Sequence, residues 1–332
     1  MPDRSNAIDR FISGTDWAHA RRAPLAGDAS NRRYERLSDP ASGRTAVLMD
    51  APPEKGEDVR PFLHIARHLS AAGLSAPRIL AEDTDRGILL IEDLGDDLFA
   101  RVIPAHPELE ETLYATATDV LLALHRVPAP ELAPYDADRM TELAALAFTK
   151  YRVGIAGDNA GEDDFRAGFR TILDTLAPCT PVLIQRDYHA ENLLWLPDRQ
   201  GVARVGLLDF QDAMIGHPAY DLVSLLQDAR RDVPEAIEAK MIARYLHGSG
   251  LDDSDFETAY AVLGAQRNLR IIGVFARLGR EYGKPHYVDL IPRVWGLLQR
   301  DLAHPGLTGI APMLQSALPE PTPANLSLLK TA

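Results

Sequence analysis

The chain has 332 residues, of which 46% are hydrophobic, and its 35 Lys and Arg against 48 Asp and Glu give a formal net charge of −13. A chain of this length exceeds the size at which a single core usually keeps growing, so we expect two lobes. The excess of negative charge repels polyanions and argues against nucleic acid or an anionic membrane as the main partner.

The cysteine content and the N-terminal sequence indicate where the protein works. Cys179 is the single cysteine, which excludes an intramolecular disulfide and an all-cysteine metal cluster within one chain. Charged residues interrupt residues 1–22, which therefore do not resemble a signal peptide, and no window has the length and apolarity of a membrane span. We expect a cytoplasmic protein that works as a monomer.

The first hundred residues are typical of a small sheet. Short β-prone runs lie at 34–37, 44–49 and 88–92, and they are separated by turns rich in Asp, Pro, Ser and Gly. One helix interrupts them at 59–72, where apolar residues recur with helical spacing and Gly73 supplies the stop.

After Leu94 the pattern changes to long amphipathic helices. The predicted elements are helices at 108–126 and 138–153, a polar loop at 154–164, a helix to 176, a β segment at 182–208, further helices from 220 to 303, and a docked or frayed tail from 305. The change predicts an α+β protein with a β-rich N-lobe of residues 1–94 and a larger, mostly helical C-lobe of residues 95–332.

Three oxygen-bearing side chains in or directly after the β segment are candidates for a catalytic base and for metal ligands. An apolar strand leads into a polar loop with Asp187 and Asn192, and two further strands follow, of which the second ends at Asp209. Mg²⁺ prefers oxygen ligands and needs only one or two from the protein, a role open to Asn192 and Asp209. Asp187 would then be available to orient an acceptor hydroxyl and to take its proton.

Two other interpretations use the same residues. The acids could be ordinary turn residues of a β-hairpin. Alternatively, Asp187, His189 and Glu191 could be ligands of a zinc-like site, although three ligands so close along one loop are geometrically awkward. The spacing Asp-x-x-x-x-Asn, followed by a strand pair and Asp-Phe-Gln-Asp, instead resembles the catalytic loop and the metal-binding Asp of protein kinases.

Together with segments 27–34, 47–54, 91–95, 216–222 and 266–283, this constellation is similar to the aminoglycoside phosphotransferase superfamily, the small-molecule relatives of protein kinases. Within it, the chain most resembles the anomeric kinases of bacterial cell-wall recycling, which act on N-acetylmuramate and N-acetylglucosamine. The resemblance covers nearly the whole chain. It implies a protein-kinase-like bilobal fold, ATP and Mg²⁺ as cofactors, and a small hydroxyl compound as acceptor.

The resemblance also implies roles for individual residues. Asp187 would be the catalytic base, and Asn192 and Asp209 would be the Mg²⁺ ligands. Segment 27–34 would form the hairpin that covers the nucleotide, and segment 91–94 would form the hinge that receives adenine. The residues expected to contact the nucleotide are Gly27, Ser30, Arg32, Arg33, Met49, Glu92 and Leu94.

The sequence departs from the superfamily in the N-lobe. Met49 stands where the third strand should present a phosphate-binding Lys, and the helix at 59–72 has no Glu to pair with such a Lys. Gln185 occupies the position at which the catalytic loop commonly begins with His. Another cation must offset the triphosphate charge, and we expect Arg32 or Arg33 to do so, with Lys55 as a further candidate.

Two segments of the C-lobe concern the acceptor. Arg267, Arg270 and Arg277 share a helical stripe that would repel a cationic aminoglycoside and attract the carboxylate of N-acetylmuramate, unless these arginines pair with nearby acids. Asp212 is a further candidate for the acceptor site. Asp221 is expected to be a helix N-cap, although a direct substrate role is an alternative.

Three functions therefore compete. The first is an anomeric amino-sugar kinase, and the second is a kinase of another small hydroxyl compound such as an aminoglycoside, choline or homoserine. The third, which the missing Lys suggests, is an inactive nucleotide-binding protein that regulates a partner. The complete set of Asp187, Asn192 and Asp209 argues against the third, because a binding module needs no catalytic base.

Overall fold

The computed structural model describes residues 3–25 and 31–330, and Gly27 and Ser30 lie outside them. The chain forms two compact units. The first comprises the residues up to Pro130 together with Ala190–Ala213, and the second comprises Glu131–His189 together with the residues from Met214 onward. Residues 95–130 and 190–213 thus belong to the same compact unit as the N-terminal residues. The lobe boundary after Leu94 stays a prediction.

A five-stranded antiparallel sheet with the order β1-β2-β3-β5-β4 forms the core of the first unit. Its strands are β1 (Arg21–Leu25), β2 (Arg33–Ser38), β3 (Thr45–Asp50), β4 (Ile79–Asp83) and β5 (Ile88–Glu92). The three predicted strands are confirmed as β2, β3 and β5. The two edge strands β1 and β4 were not predicted, because their charged residues and the proline in β1 obscure the alternation of apolar and polar residues.

An N-terminal helix, α1 (Asp3–Ser13), covers one face of this sheet. Ile8 and Ile12 of α1 pack with Trp17 against the inward-facing residues of the sheet, which are Leu37, Ala46, Leu48, Ile88 and Leu90. Arg4 of α1 forms an ion pair with Asp50 at the end of β3. Because successive strand residues point to opposite faces, Val47, Met49 and Leu89 lie on the side away from α1.

The predicted helix at 59–72 is confirmed as α2 (Arg60–Ala71), which ends just before Gly73 with its positive φ of 77°. Arg67 of α2 pairs with Glu82 of β4. Glu82 is opposite Leu89 in the register of the sheet, so α2 lies on the side away from α1.

The rest of the chain is mostly helical. Its helices are α3 (Phe99–Ala105), α4 (Glu110–Leu124), α5 (Ala137–Ala144), α6 (Val153–Ala156), α7 (Glu162–Asp174), α8 (Ala219–Leu226), α9 (Glu235–Ser249), α10 (Asp253–Tyr282), α11 (Ile291–Leu302), α12 (Ala311–Ala317) and α13 (Pro323–Leu328). Its strands are β6 (Val182–Ile184), β7 (Leu193–Trp195), β8 (Val205–Leu207) and β9 (Met214–Gly216). This composition confirms the predicted α+β class. No helix in the described ranges is both long and apolar enough to cross a bilayer.

The second unit is built around the 30-residue helix α10. The helix predicted at 138–153 is confirmed only in part, because a π-helical segment, Ala147–Arg152, interrupts the α-helical geometry between α5 and α6. A Cβ at Gly273 of α10 would come within 2.3 Å of the backbone of Leu146, so α10 approaches the chain closely where the regular helix stops. The predicted tail is docked, since Leu329 is fully buried beside Gly154 and Gly279.

Candidate active site

The β7–β8 hairpin of the first unit brings Asn192 and Asp209 to the same end. Leu193 is opposite Leu207 in the antiparallel register. The N–H of Leu208 donates to the carbonyl of Asn192 at 3.0 Å. Asn192 directly precedes β7 and Asp209 closely follows β8, so the two residues lie at the same end of the hairpin, and the meeting of their side chains at one metal stays a prediction.

The backbone at Asp209 adopts an unusual conformation for a residue with a side chain. Its φ of 56° lies in the left-handed region, and Nε2 of Gln211 donates to its Oδ1 at 2.7 Å. The next residue, Phe210, is fully buried and stacks on Phe62 of α2 with 5.0 Å between ring centroids. The buried ring fixes the chain on one side of Asp209, so the turn is held by packing as well as by its hydrogen bond.

Asn192 and Asp209 fit the metal that the kinase resemblance implies. An amide oxygen and a carboxylate are hard oxygen donors, and Mg²⁺ takes one or two such protein ligands beside water and phosphate oxygens. In the part of the chain that the structure describes, no three His, Cys, Asp or Glu side chains group closely enough to hold a metal. The zinc-like alternative therefore has no cluster to support it.

In the second unit, a buried carboxylate supports the loop that carries Asp187. Asp221 is fully buried, and its Oδ2 and Oδ1 accept from the N–H groups of Gln185 and Arg186 at 2.6 and 2.8 Å. Burial raises the pKa of Asp221 to about 7, against the lowering effect of these two hydrogen bonds. The φ of Arg186 is 72°, so the residue before Asp187 also adopts the left-handed conformation.

The predicted role of Asp221 as a helix N-cap is wrong. The helix α8 begins at Ala219 with Pro218 at the N-cap position, which places Asp221 inside its first turn. The imidazole Nδ1 of His217 accepts from the N–H of Ala219 at 3.1 Å instead. An acid near the start of a helix resembles an N-cap in the sequence. The N–H groups that Asp221 accepts from belong instead to Gln185 and Arg186, about 35 residues earlier.

Positive charges surround Asp187 within the second unit. Arg270 of α10 approaches the carboxylate, with 4.0 Å between Nη1 and Oδ1. Burial alone would raise the pKa of Asp187, but the charges of Arg270, His189 and Arg267 bring that pKa below its ordinary value. The carboxylate is thus ionised at neutral pH and can accept a proton.

The three arginines of the predicted stripe have different environments. Arg267 is only 2% exposed and donates from Nη1 to the backbone carbonyl of Gln227 at 3.1 Å. Arg270 is the arginine beside Asp187, and Arg277 is partly buried further along α10. Asp212 is exposed in the first unit, two residues after Phe210. Acceptor binding by Arg267, Arg270 and Asp212 stays a prediction.

The residues expected to contact the nucleotide, as far as they are described, lie on or next to the sheet. Met49 is fully buried in β3, and Glu92 at the end of β5 pairs with Arg199 at 2.9 Å and Arg78 at 3.2 Å. Leu94 is buried just beyond β5. Arg32 pairs with Glu57 at 2.8 Å, whereas Arg33 is exposed in β2.

Comparisons with known proteins identify the family of the chain. The model of the phosphotransferase enzyme family matches residues 21–262. The chain is 38% identical to an N-acetylmuramate/N-acetylglucosamine kinase of Caulobacter vibrioides, over 96% of this chain and 98% of that protein. It is 35% identical to a protein of the same name from Pseudomonas aeruginosa, over 88% of this chain and 87% of the relative.

A solved structure shows the same fold at low sequence identity. An ethanolamine kinase of Plasmodium vivax superposes with a TM-score of 0.60 at 12% identity, and the match covers 91% of this chain and 89% of that one. The protein-kinase-like fold expected from the sequence is confirmed. The chain belongs to the phosphotransferase enzyme family, and it is a kinase of small molecules.

Proposed function

We propose that this kinase transfers the γ-phosphoryl group of ATP to the anomeric hydroxyl of N-acetylmuramate or N-acetylglucosamine, in the cytoplasmic recycling of cell-wall sugars. The observation that carries the proposal is the ionised Asp187 beside Arg270. The names of the relatives at 38% and 35% identity support the choice of acceptor.

Asp187 would act as the general base. Its carboxylate accepts the proton of the acceptor hydroxyl while the hydroxyl oxygen forms a bond to the γ-phosphorus. The bond between that phosphorus and the bridging oxygen breaks, and ADP leaves with the electron pair. Asn192 and Asp209 would hold Mg²⁺, which supplies charge neutralisation to the phosphates when bound.

The charge around Asp187 favours an acceptor that is neutral or anionic. Arg270 and Arg267 both act on Asp187 electrostatically, so the surroundings of the base are locally positive in an acidic protein. A cationic aminoglycoside would be repelled there, whereas the carboxylate of N-acetylmuramate would be attracted. Kinases of aminoglycosides or of choline-like alcohols are thus the weaker candidates.

A panel of acceptors tests the proposal. ATP consumption with Mg²⁺ is measured for N-acetylmuramate, N-acetylglucosamine, kanamycin and choline, in the wild type and in Asp187→Asn. We expect turnover of at least one sugar and a fall in kcat of about 10²–10⁴-fold in the variant, because the general base is lost. Turnover of kanamycin or choline alone would contradict the proposal. ATP binding without turnover of any acceptor would favour the regulatory alternative.

A further inference from the structure

A half-buried ion pair in the first unit connects the start of β2 with the segment that leads into α2. Nε of Arg32 donates to Oε2 of Glu57 at 2.8 Å, and the two side chains are 14% and 12% exposed. The other oxygen of Glu57 accepts from the N–H of Asn31 at 3.0 Å. Glu57 thus binds both the backbone N–H of Asn31 and the guanidinium of Arg32, just before β2 begins.

The register of the sheet distinguishes Arg32 from Arg33. Arg33 is opposite Asp50, which is bound by Arg4 of α1, so Arg33 belongs to the face that α1 covers. Tyr34 is opposite Met49, on the other face. Arg32 precedes Arg33 and interacts with Tyr34 and Glu57, which places it on the side of Met49 and α2.

The same end of α2 is connected to the candidate metal ligand. Glu57 lies three residues before α2 begins, and Phe62 in the first turn of α2 stacks on Phe210. Phe210 directly follows Asp209. The ion pair and Asp209 are therefore both connected to the first turn of α2, Glu57 through the chain and Asp209 through Phe210.

A divalent metal ion alone does not neutralise the negative charge of a nucleoside triphosphate. Met49 supplies no charge from β3, and α2 contains no Glu. We propose that Glu57 is a positioning residue that directs Arg32 toward the nucleotide phosphates, so that Arg32 supplies the positive charge that β3 lacks. The inference rests on the proposed use of ATP and is independent of the acceptor.

A double-mutant cycle tests this inference without any acceptor present. The affinities of the wild type, Arg32→Ala, Glu57→Gln and the double variant for ATP with Mg²⁺ and for adenosine are measured by calorimetry. We expect Arg32→Ala to weaken ATP binding about tenfold or more, the range of a charge-assisted hydrogen bond, and to leave adenosine binding unchanged. Glu57→Gln should weaken ATP binding less, and it should add nothing in the Arg32→Ala background, because Glu57 acts through Arg32.

The controls separate positioning from folding. Arg67→Ala breaks a matched Arg–Glu pair on α2 and should leave both affinities unchanged. Glu57→Asp should retain part of the ATP affinity, and thermal unfolding of every variant reports whether the fold is kept. If Arg32→Ala destabilises the fold, Arg32→Lys keeps the charge, and it should retain more ATP affinity than Arg32→Gln.

Several results would overturn the inference. Equal losses of ATP and adenosine affinity in Arg32→Ala would show that Arg32 has a structural role only. Additive losses of ATP affinity in the double variant would show that Glu57 does not act through Arg32. A loss of ATP binding in Arg33→Ala but not in Arg32→Ala would assign the charge to the other arginine. A wild type that does not bind ATP would overturn the proposed function as well, whereas an ATP-binding wild type with an unaffected Arg32→Ala variant would overturn this inference alone.

Discussion

Asp187 has a lowered pKa because neighbouring positive charges, of which Arg270 on α10 has the largest effect, outweigh its burial. The arginines that act on it are Arg186 beside it and Arg267 and Arg270 on α10. The spacing of Asp187, Asn192 and Asp209 was enough to predict a candidate base and a candidate metal pair. The stripe of arginines predicted a role for Arg270 at the acceptor, but its proximity to Asp187 was not predicted, because nothing local connects residues 187 and 270.

Arg270 should control the pH dependence of the reaction. Replacing Arg270 by Gln removes a positive charge that favours the ionised form of Asp187, so the pKa of Asp187 should rise. Since the base must be deprotonated, we expect the acid limb of the rate profile to move to higher pH. The measurement is kcat against pH with the neutral acceptor N-acetylglucosamine, which removes any effect of an acceptor charge.

The matched control for this change is Arg280→Gln, an exposed arginine near the end of the same helix. Its acid limb should coincide with that of the wild type. An acid limb in Arg270→Gln that does not move would show that Arg270 has no influence on the base.

Asp221 supports the loop that carries the proposed base Asp187 through two backbone N–H groups, a role that its position near a helix start did not indicate. In Asp221→Ala, both N–H groups would be buried without an acceptor, so we expect a loss of about 2–5 kcal/mol in the free energy of unfolding and a lower kcat. Chemical denaturation and steady-state kinetics measure the two effects.

Asp232→Ala serves as the control for Asp221, because Asp232 is an exposed acid of the same unit that pairs with Arg293. Its free energy of unfolding should stay within about 0.5 kcal/mol of the wild type. A similar result for Asp221→Ala would contradict the supporting role.

Among the elements, α1 lies wholly outside residues 21–262, the part that the family model matches, yet it covers a face of the sheet. Ile12 is buried in that contact, so Ile12→Ala should reduce the free energy of unfolding of the first unit by about 2–4 kcal/mol. Arg10→Ala changes an exposed residue of the same helix and should have little effect. Denaturant titration measures both, and equal midpoints would contradict the packing role of α1.

The helix predicted at 138–153 shows why local periodicity was insufficient. Its apolar spacing is helical along the whole segment, but the geometry changes to a π-helix at Ala147–Arg152, directly after the point where Gly273 of α10 lies close to Leu146. In the edge strands β1 and β4, by contrast, the local pattern is too weak to predict the strand that the structure contains. Pairing with β2 and β5 defines them, and their own residues carry little β signal.

At the scale of the whole molecule, the sequence indicated the fold class and the family more securely than the division of the chain. The change in residue pattern near Leu94 is local and visible in the sequence. The compact units depend on contacts between distant residues, such as the parallel bridge between Ser75 and Gly206. The chain passes between the units after Pro130, after His189 and after Ala213, and only the first of these points has a linker-like composition, with prolines at 128, 130 and 134.

The left-handed backbone at Arg186 and Asp209 has a consequence for laboratory evolution. A residue with a Cβ is sterically strained in this conformation, whereas glycine adopts it without steric penalty. A screen that rewards only survival on heating could therefore enrich glycine at position 209, and the surviving protein would have lost a carboxylate that we assign to the metal. Heat tolerance and turnover should be selected together when this enzyme is improved.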